Sequence, residues 1–205
     1  MDSSRAAPEG APTLHSLVLA AGASTRFGSP KQLVRLQGRP LLHRAVSSAA
    51  AISGQAVTVV LGAHAAELAP LLRHSPAAVI VNRHWEEGIG SSIRAGVARL
   101  PASCDGVLIL LADQAAVTVT DLERLCAAWR RDPLRIAASR YDSILGVPAV
   151  FPRSEFPELA SLRGDRGARS LLRRRAPHLT AVELASASID IDTPEDLLRL
   201  PSGQA

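Results

Sequence analysis

"LVLAAGASTRFGSPKQL", residues 17–33, is the stretch of the sequence that decides the fold. An apolar run typical of a buried strand passes directly into small residues from Ala20 to Ser24, and two cations follow at Arg26 and Lys31. Small residues let backbone N–H groups approach an anion, and an arginine and a lysine can bind the same anion. The stretch therefore predicts a strand that ends in a phosphate-binding loop. A surface turn with two solvated cations is the alternative.

Two common phosphate-binding loops do not fit this stretch. Phe27 stands five residues after Gly22, where G-x-x-x-x-G-K-[ST] requires a glycine. Ser24 stands in the place of the second glycine of G-x-G-x-x-G. The sequence therefore predicts a phosphate loop of another type.

The composition is that of an ordinary globular protein, with 205 residues of which 47% are hydrophobic and 20% charged. No apolar run approaches the ~20 residues of a membrane span. Residues 1–13 are rich in Ala, Pro, Ser and Gly and contain no apolar stretch typical of a secretory signal. We expect a flexible tail there, one domain over residues 14–200, and a short tail over residues 201–205.

The charge and the cysteines narrow the class of partner. The net charge of +4 and the pI near 10.0 favour an anionic partner, but aromatic residues are only 3%, too few for the stacking surfaces of single-strand nucleic-acid binders. Cys104 and Cys126 are far apart, and the histidines lack metal-binding spacing. We expect a cytoplasmic protein that binds small anionic substrates, with neither nucleic acid nor membrane as a partner. A basic nucleic-acid-binding domain is the alternative.

Short apolar runs alternate with helical patterns along the chain, which predicts a mostly parallel sheet covered by helices on both faces. The predicted strands are residues 14–19, 56–61, 78–81, 106–111, 135–139, 146–151 and, at an edge, 180–184. The predicted helices are residues 40–51, 64–73, 91–99, 120–131, 168–175 and 193–200. In such sheets ligands bind outside the carboxyl ends of the strands.

Carboxylates in two loops are candidate metal ligands. Asp113 directly follows the apolar strand of "LILLADQ", residues 108–114. A carboxylate at the mouth of a sheet suits Mg²⁺, which takes one or two carboxylates together with phosphate oxygens. Asp190 and Asp192 alternate across Ile191 and so lie on one side of an extended segment, where a cation between them would offset their repulsion. We expect Asp113, Asp192 and Asp190 to form the metal site; an N-cap or turn role for Asp113 is the alternative.

A glycine-rich and serine-rich loop follows the strand at 78–81, in "NRHWEEGIGSSIRAG", residues 82–96. Gly88 permits a tight backbone, and Ser91 or Ser92 can cap the helix that begins there. The N-terminus of that helix can bind an anion or a polar base edge. Simple capping is the alternative.

These motifs, taken in order, resemble the molybdenum cofactor cytidylyltransferase-like nucleotidyltransferases, the molybdopterin nucleotidyltransferase family with its NTP transferase domain. The resemblance covers residues 14–200. It implies an α/β fold with a single Rossmann-like three-layer domain and a mostly parallel sheet. It also implies that Arg26, Lys31 and Asp113 are catalytic. The implied nucleotide-binding residues are Leu19, Ala20, Ala21, Gly22, Ala23, Ser24, Arg26, Lys31, Asn82, Gly88, Ser91 and Ser92.

Two further segments resemble the acceptor-side motifs of that family. "GVPAVFP", residues 146–152, carries Val147 where the family usually has histidine. In "GDRGARSLL", residues 164–172, the matching residues are Gly164, Asp165, Gly167 and Arg169. The implied acceptor-binding residues are Gly146, Pro148, Gly164, Asp165, Gly167 and Arg169. The metal-binding motif also departs from the family pattern, because Ala115 replaces the proline that usually follows Asp113-Gln114.

The resemblance implies Mg²⁺-dependent attack of an acceptor phosphate, that of molybdopterin, on the α-phosphorus of a nucleoside triphosphate, with release of pyrophosphate. Whether a recipient molybdoenzyme is a further partner is left open by the sequence. Ala20-Ala21-Gly22 goes with cytidine in the family, so we expect CTP. The alternatives are GTP as donor, a sugar or alcohol phosphate as acceptor, and a non-catalytic nucleotide-binding protein that delivers the cofactor.

Overall fold

The computed structural model describes residues 10–191, 193 and 196, and within them a seven-stranded sheet forms the centre of the molecule. The sheet has the order β5-β4-β1-β6-β8-β7-β9. Its strands are β1 (Leu14–Ala20), β4 (Val57–Leu61), β5 (Ala78–Val81), β6 (Gly106–Leu111), β7 (Ala137–Tyr141), β8 (Ile144–Pro152) and β9 (Thr180–Glu183). Two short strands, β2 (Arg35–Leu36) and β3 (Arg39–Pro40), form a separate antiparallel pair.

The helices connect these strands and cover both faces of the sheet. They are α1 (Leu41–Ser53), α2 (Ala65–Leu68), α3 (Ile89–Val97), α4 (Val119–Arg131), α5 (Phe156–Ala160) and α6 (Gly167–Arg175). None of the helices in the described part of the chain has the length and apolar character to cross a membrane.

The expectation of a mostly parallel α/β sheet is confirmed. β1 pairs in parallel with β4 and β6, β4 with β5, and β7 with β9. β8 is antiparallel to both of its neighbours. The physical reason is the short turn from Tyr141 to Ile144, which includes Asp142 and Ser143 at positive φ and can join only antiparallel strands.

Two hydrophobic cores lie on opposite faces of the sheet, which makes three layers. Val18 belongs to the core under α1 and α4, while its neighbour Leu17 belongs to the core under α3 and α6. The same alternation runs through β6, where Leu108 and Ile109 enter different cores. Strands buried on both faces explain why the apolar runs are continuous.

Three local differences from the sequence-based expectation have physical causes. The helix expected over 64–73 ends at Leu68 and continues as a 3₁₀ turn, Ala69–Leu72, because Pro70 has no N–H to donate. The third helix starts at Ile89, since Gly88 with φ of 97° turns the chain before it. The five-residue helix α5 was not expected.

Some expectations concern residues beyond those described. Residues 1–9 and 201–205 lie outside the described residues, and so does most of the helix expected over 193–200. Within the predicted N-terminal tail, Thr13 is described, and its backbone N–H donates to Asp105 Oδ2 at 2.8 Å.

Candidate functional site

An open cleft of about 420 Å³ lies at the carboxyl ends of β1 and β6. These two strands are parallel neighbours, so the loops that follow them meet at one edge of the sheet. The cleft brings together residues from all the predicted motifs of the nucleotide side and one from the acceptor side: Leu19, Ala20, Ala21, Gly22, Ala23, Ser24, Arg26, Lys31, Gly88, Ser92, Asp113 and Asp165.

The loop after β1 is held from below by Gln32. Its Nε2 donates to Ala20 O and to Gly22 O, at 3.3 Å each. Gln32 is only 3% exposed, so these bonds form in a buried setting. Ser24 adds to the arrangement, since its Oγ accepts from the backbone N–H of Lys31 at 3.2 Å.

The turn after β4 holds the same loop from the side. Ala63 N–H donates to Ala21 O at 3.1 Å, and His64 Nε2 lies 3.0 Å from Ala23 O. A Cβ atom added to Gly62 would lie 2.5 Å from Ala21 O, so the turn can approach the loop only because position 62 is glycine. The carbonyl groups from 20 to 23 are thus turned toward the protein.

Lys31 and Asp113 meet in the cleft, with 2.5 Å between Nζ and Oδ2. The side chains are 14% and 18% exposed, so the pair is largely shielded from water. Asp113 Oδ1 is buried and has no hydrogen-bond partner among the described residues. An unsatisfied carboxylate oxygen beside a substrate cleft has the chemistry that a hard divalent cation requires.

The segment before residue 192 docks beside Asp113. Ile191 N–H donates to Asp113 O at 3.1 Å, and Gln114 Nε2 donates to Ala187 O at 3.2 Å. Asp190 is exposed, and Asp192 lies outside the described residues. The described part of the chain contains no group of three His, Cys, Asp or Glu side chains placed to hold a metal, so the three-aspartate site stays a prediction.

Asn82 and Ser91 lie beneath the cleft and organise its wall. Asn82 is 5% exposed and its Nδ2 donates to Ser91 Oγ at 2.7 Å and to Ser92 Oγ at 3.1 Å. Ser91 Oγ in turn donates to Gly88 O at 2.8 Å. Gly88 and Ser92 line the cleft, whereas Asn82 and Ser91 support the loop that presents them. A direct contact of either with a nucleotide stays a prediction.

The predicted acceptor segment at 164–167 packs against the start of α3. A Cβ atom on Gly88 would collide with Asp165, and one on Gly90 would lie 2.9 Å from Gly164 O. Gly167, with φ of 50°, starts α6, and Arg169 is exposed in its first turn.

The other acceptor segment lies further along the same edge of the sheet. Gly146 pairs with Ser139 of β7, and Pro148 lines a second cavity between α1 and α4. Gln114 Nε2 donates to Val147 O at 2.8 Å and so connects this segment to Asp113.

Several residues of the site were not among the predicted site residues. Gln32 and His64 hold loop carbonyls, and Trp85 lies in the wall of the cleft. The available signal was position: Gln32 follows Lys31, His64 lies in the turn after the predicted strand 56–61, and Trp85 lies within the motif at 82–96.

Comparison with protein families and curated proteins gives a consistent result. A family model described as a MobA-like NTP transferase domain matches residues 16–179. The chain is 33% identical over 200 residues to nicotine blue oxidoreductase of Paenarthrobacter nicotinovorans, covering 92% of this chain and 97% of that protein. It is 33% identical over 198 residues to purine catabolism protein PucB of Bacillus subtilis, covering 90% and 94%.

The solved structures include one of a protein with bound manganese. Rv0371c of Mycobacterium tuberculosis H37Rv, in complex with manganese, superposes with a TM-score of 0.76 at 27% identity. The superposition covers 92% of this chain and 97% of that one.

Proposed function

This chain belongs to the MobA-like NTP transferase domain family, and from that premise we propose that it transfers a nucleotidyl group, from CTP by preference, to the phosphate of molybdopterin or the molybdenum cofactor. The observation that carries the proposal is the cleft in which the small-residue loop, the Lys31–Asp113 pair and Asp165 meet. Pyrophosphate is the second product.

The reaction needs positioned charge more than a base. An oxygen of the acceptor phosphate attacks the α-phosphorus, a new P–O bond forms, and the bond to the β-phosphate oxygen breaks in line with it. Arg26, Lys31 and the backbone N–H groups of residues 21–24 bind the triphosphate and stabilise the charge that collects on its oxygens. The carbonyl groups of this loop face the protein. Because the C=O and N–H of one peptide unit point in opposite directions, the N–H groups of residues 21–24 face the cleft.

The residues fit a divalent cation at Asp113. Asp113 would hold Mg²⁺ with its unpartnered oxygen, and Asp190 and Asp192 are the further ligands we propose. When bound, the ion supplies positive charge to the phosphate oxygens. The manganese in the structure of Rv0371c supports a divalent ion in this fold.

The preference for CTP rests on Ala21. Ala21 is one of the residues that line the cleft, so we infer that the size of residue 21 bears on which base fits there. The sequence Ala20-Ala21-Gly22 is the form that goes with cytidine in the resembling family, and glycine at position 21 is the form that goes with guanosine.

The test is pyrophosphate release with Mg²⁺ and molybdenum cofactor, with CTP, GTP, ATP and UTP compared. We expect CTP to be preferred, and Asp113→Asn and Lys31→Ala each to lower the rate by about 10²- to 10³-fold, because each removes a charge that stabilises the transition state. Asp132→Asn, which removes an exposed carboxylate at the end of α4, serves as the matched control and should keep the wild-type rate.

Binding can be followed separately from turnover. Trp85 lines the cleft while Trp129 is 0% exposed, so nucleotide should change the fluorescence of Trp85 and not that of Trp129. A wild-type rate in Asp113→Asn contradicts the proposal. Nucleotide binding without pyrophosphate release favours the non-catalytic protein that delivers the cofactor to a molybdoenzyme.

An oxidoreductase is a second candidate, favoured by the 33% identity to nicotine blue oxidoreductase over 97% of that protein. The same preparation can be tested for oxidation of a reduced nicotinamide with nicotine blue as acceptor. Oxidation that persists in Asp113→Asn would support this candidate over the transferase.

A further inference from the structure

Tyr141 is a polar residue at the carboxyl end of the sheet that the motifs did not include. It is the last residue of β7, and its ring lies over Gly146 of β8. A Cβ atom at position 146 would collide with the Tyr141 hydroxyl and lie 2.9 Å from Cζ. Glycine at 146 therefore makes room for this hydroxyl.

The hydroxyl of Tyr141 lies among groups from three separate elements. The guanidinium of Arg169 on α6 and the carboxylate of Asp190, in the segment that docks beside Asp113, are both near enough to interact electrostatically with it. Burial raises the pKa of Tyr141 and the charge of Asp190 adds to that rise, while Arg169 acts against it. A tyrosine hydroxyl, with an ordinary pKa of about 10, is an O–H donor at neutral pH without any such shift.

The position of Tyr141 relative to Asp113 indicates which substrate it contacts. β6, which ends before Asp113, is flanked by β1 on one side and β8 and β7 on the other. The small-residue loop follows β1, so Tyr141, at the end of β7, lies on the opposite side of Asp113 from that loop. Under the proposed function, an acceptor on this side approaches the α-phosphorus from opposite the loop that binds the triphosphate.

We propose that Tyr141 positions Arg169 and donates its O–H to the phosphate of the acceptor, which makes it a specificity-determining residue for a phosphomonoester. This inference rests on the proposed function and adds a residue to its acceptor side. The side chain of Val147 has no hydrogen-bonding group, and the Tyr141 hydroxyl, which lies against the neighbouring Gly146, supplies one. A phosphate oxygen then receives one neutral and one charged donor.

The variant Tyr141→Phe keeps the ring over Gly146 and removes only the hydroxyl. We expect the KM for the acceptor to rise at least about 10-fold, as for the loss of a hydrogen bond to a charged group, with the KM for CTP and the melting temperature unchanged. Tyr141→Phe should add little in an Arg169→Gln background, since the two groups act together. Ser143→Gly, in the same turn, is the control and should leave both KM values unchanged.

The results separate this inference from the proposed function. An unchanged acceptor KM in Tyr141→Phe, or an equal rise in both KM values, overturns the role of Tyr141. Wild-type protein that is inactive with every nucleotide overturns the proposed function instead. In that case calorimetry with inorganic phosphate decides: weaker binding by Tyr141→Phe than by wild type supports the inference, and equal binding refutes it.

Discussion

At the scale of single residues, Gly62 controls the shape of the loop after β1. In Gly62→Ala the new methyl group meets Ala21 O at 2.5 Å and the Cβ atoms of Ala21 and Trp85 at 2.8 Å. The loop has to move, so we expect the KM for the nucleoside triphosphate to rise by an order of magnitude or more. Steady-state kinetics with CTP as the varied substrate measure the effect.

Gly96→Ala is the control for this variant. Gly96 lies on α3 against Leu17, and an added Cβ would lie 2.9 Å from Leu17 Cγ. We expect a loss of about 1–3 kcal/mol in the free energy of unfolding through overpacking, with the KM for CTP unchanged. If Gly62→Ala lowers only the free energy of unfolding and leaves the KM for CTP unchanged, glycine at position 62 is not required for the shape of the loop.

The residues that carry charge were predictable, and those that orient the backbone were not. Lys31 and Asp113 were identified from separate motifs, and the structure brings them into contact. Gln32 and His64 act on carbonyl groups of a loop. The direction of those carbonyls follows from tertiary contacts, which no local pattern encodes.

At the scale of elements, α4 begins with a capping box that also holds a neighbouring segment. Thr118 Oγ1 accepts from Asp121 N–H, and Asp121 Oδ2 accepts from Thr118 N–H, at 3.1 Å each. Asp121 Oδ2 also accepts from Ser186 Oγ at 2.8 Å. The cap thus connects the helix to the segment that leads to Asp190.

Thr118→Ala should lower the free energy of unfolding by about 1 kcal/mol, because it removes the side-chain cap, while Thr118→Ser should keep it. Urea unfolding followed through the buried Trp129 measures both variants. Equal losses in the two variants would show that the methyl group of Thr118, and not its hydroxyl, is what matters.

The existence of most elements was predictable because the strands are buried on both faces and read as continuous apolar runs. Other features depend on single residues or on connections. The direction of β8 follows from a turn too short for a crossover, and Pro70 divides the second helix. The helix α5 has only five residues, too few for a helical periodicity to show.

At the scale of the whole molecule, stability should depend on pH through His15, which joins the neighbouring strands β1 and β4. His15 Nε2 lies 2.9 Å from Thr58 Oγ1, the residue is 8% exposed, and Nδ1 has no partner among the residues described. Burial lowers the pKa of His15 from its ordinary value of 6.5. As pH falls below 6.5, the unfolded chain takes up a proton before the folded one does, so the folded state loses stability until the lowered pKa is passed.

His15→Gln can still hydrogen-bond with Thr58 and does not titrate in this range. We expect the free energy of unfolding, measured with urea at a series of pH values, to fall less between pH 6.5 and 5 in the variant than in wild type. Parallel curves for the two proteins would show that His15 contributes nothing to the pH dependence.

The docking of Ile191 on Asp113 has a consequence for synthesis of the protein. A ribosome releases β1 and its loop early and the segment at 187–191 late, so a growing chain can form much of the sheet before this side of the site is closed. Under the proposed function, we expect catalytic competence to be acquired late in synthesis, when the segment reaches Asp113 and Gln114. Unfinished chains would expose the loop without this segment, so we expect them to be inactive.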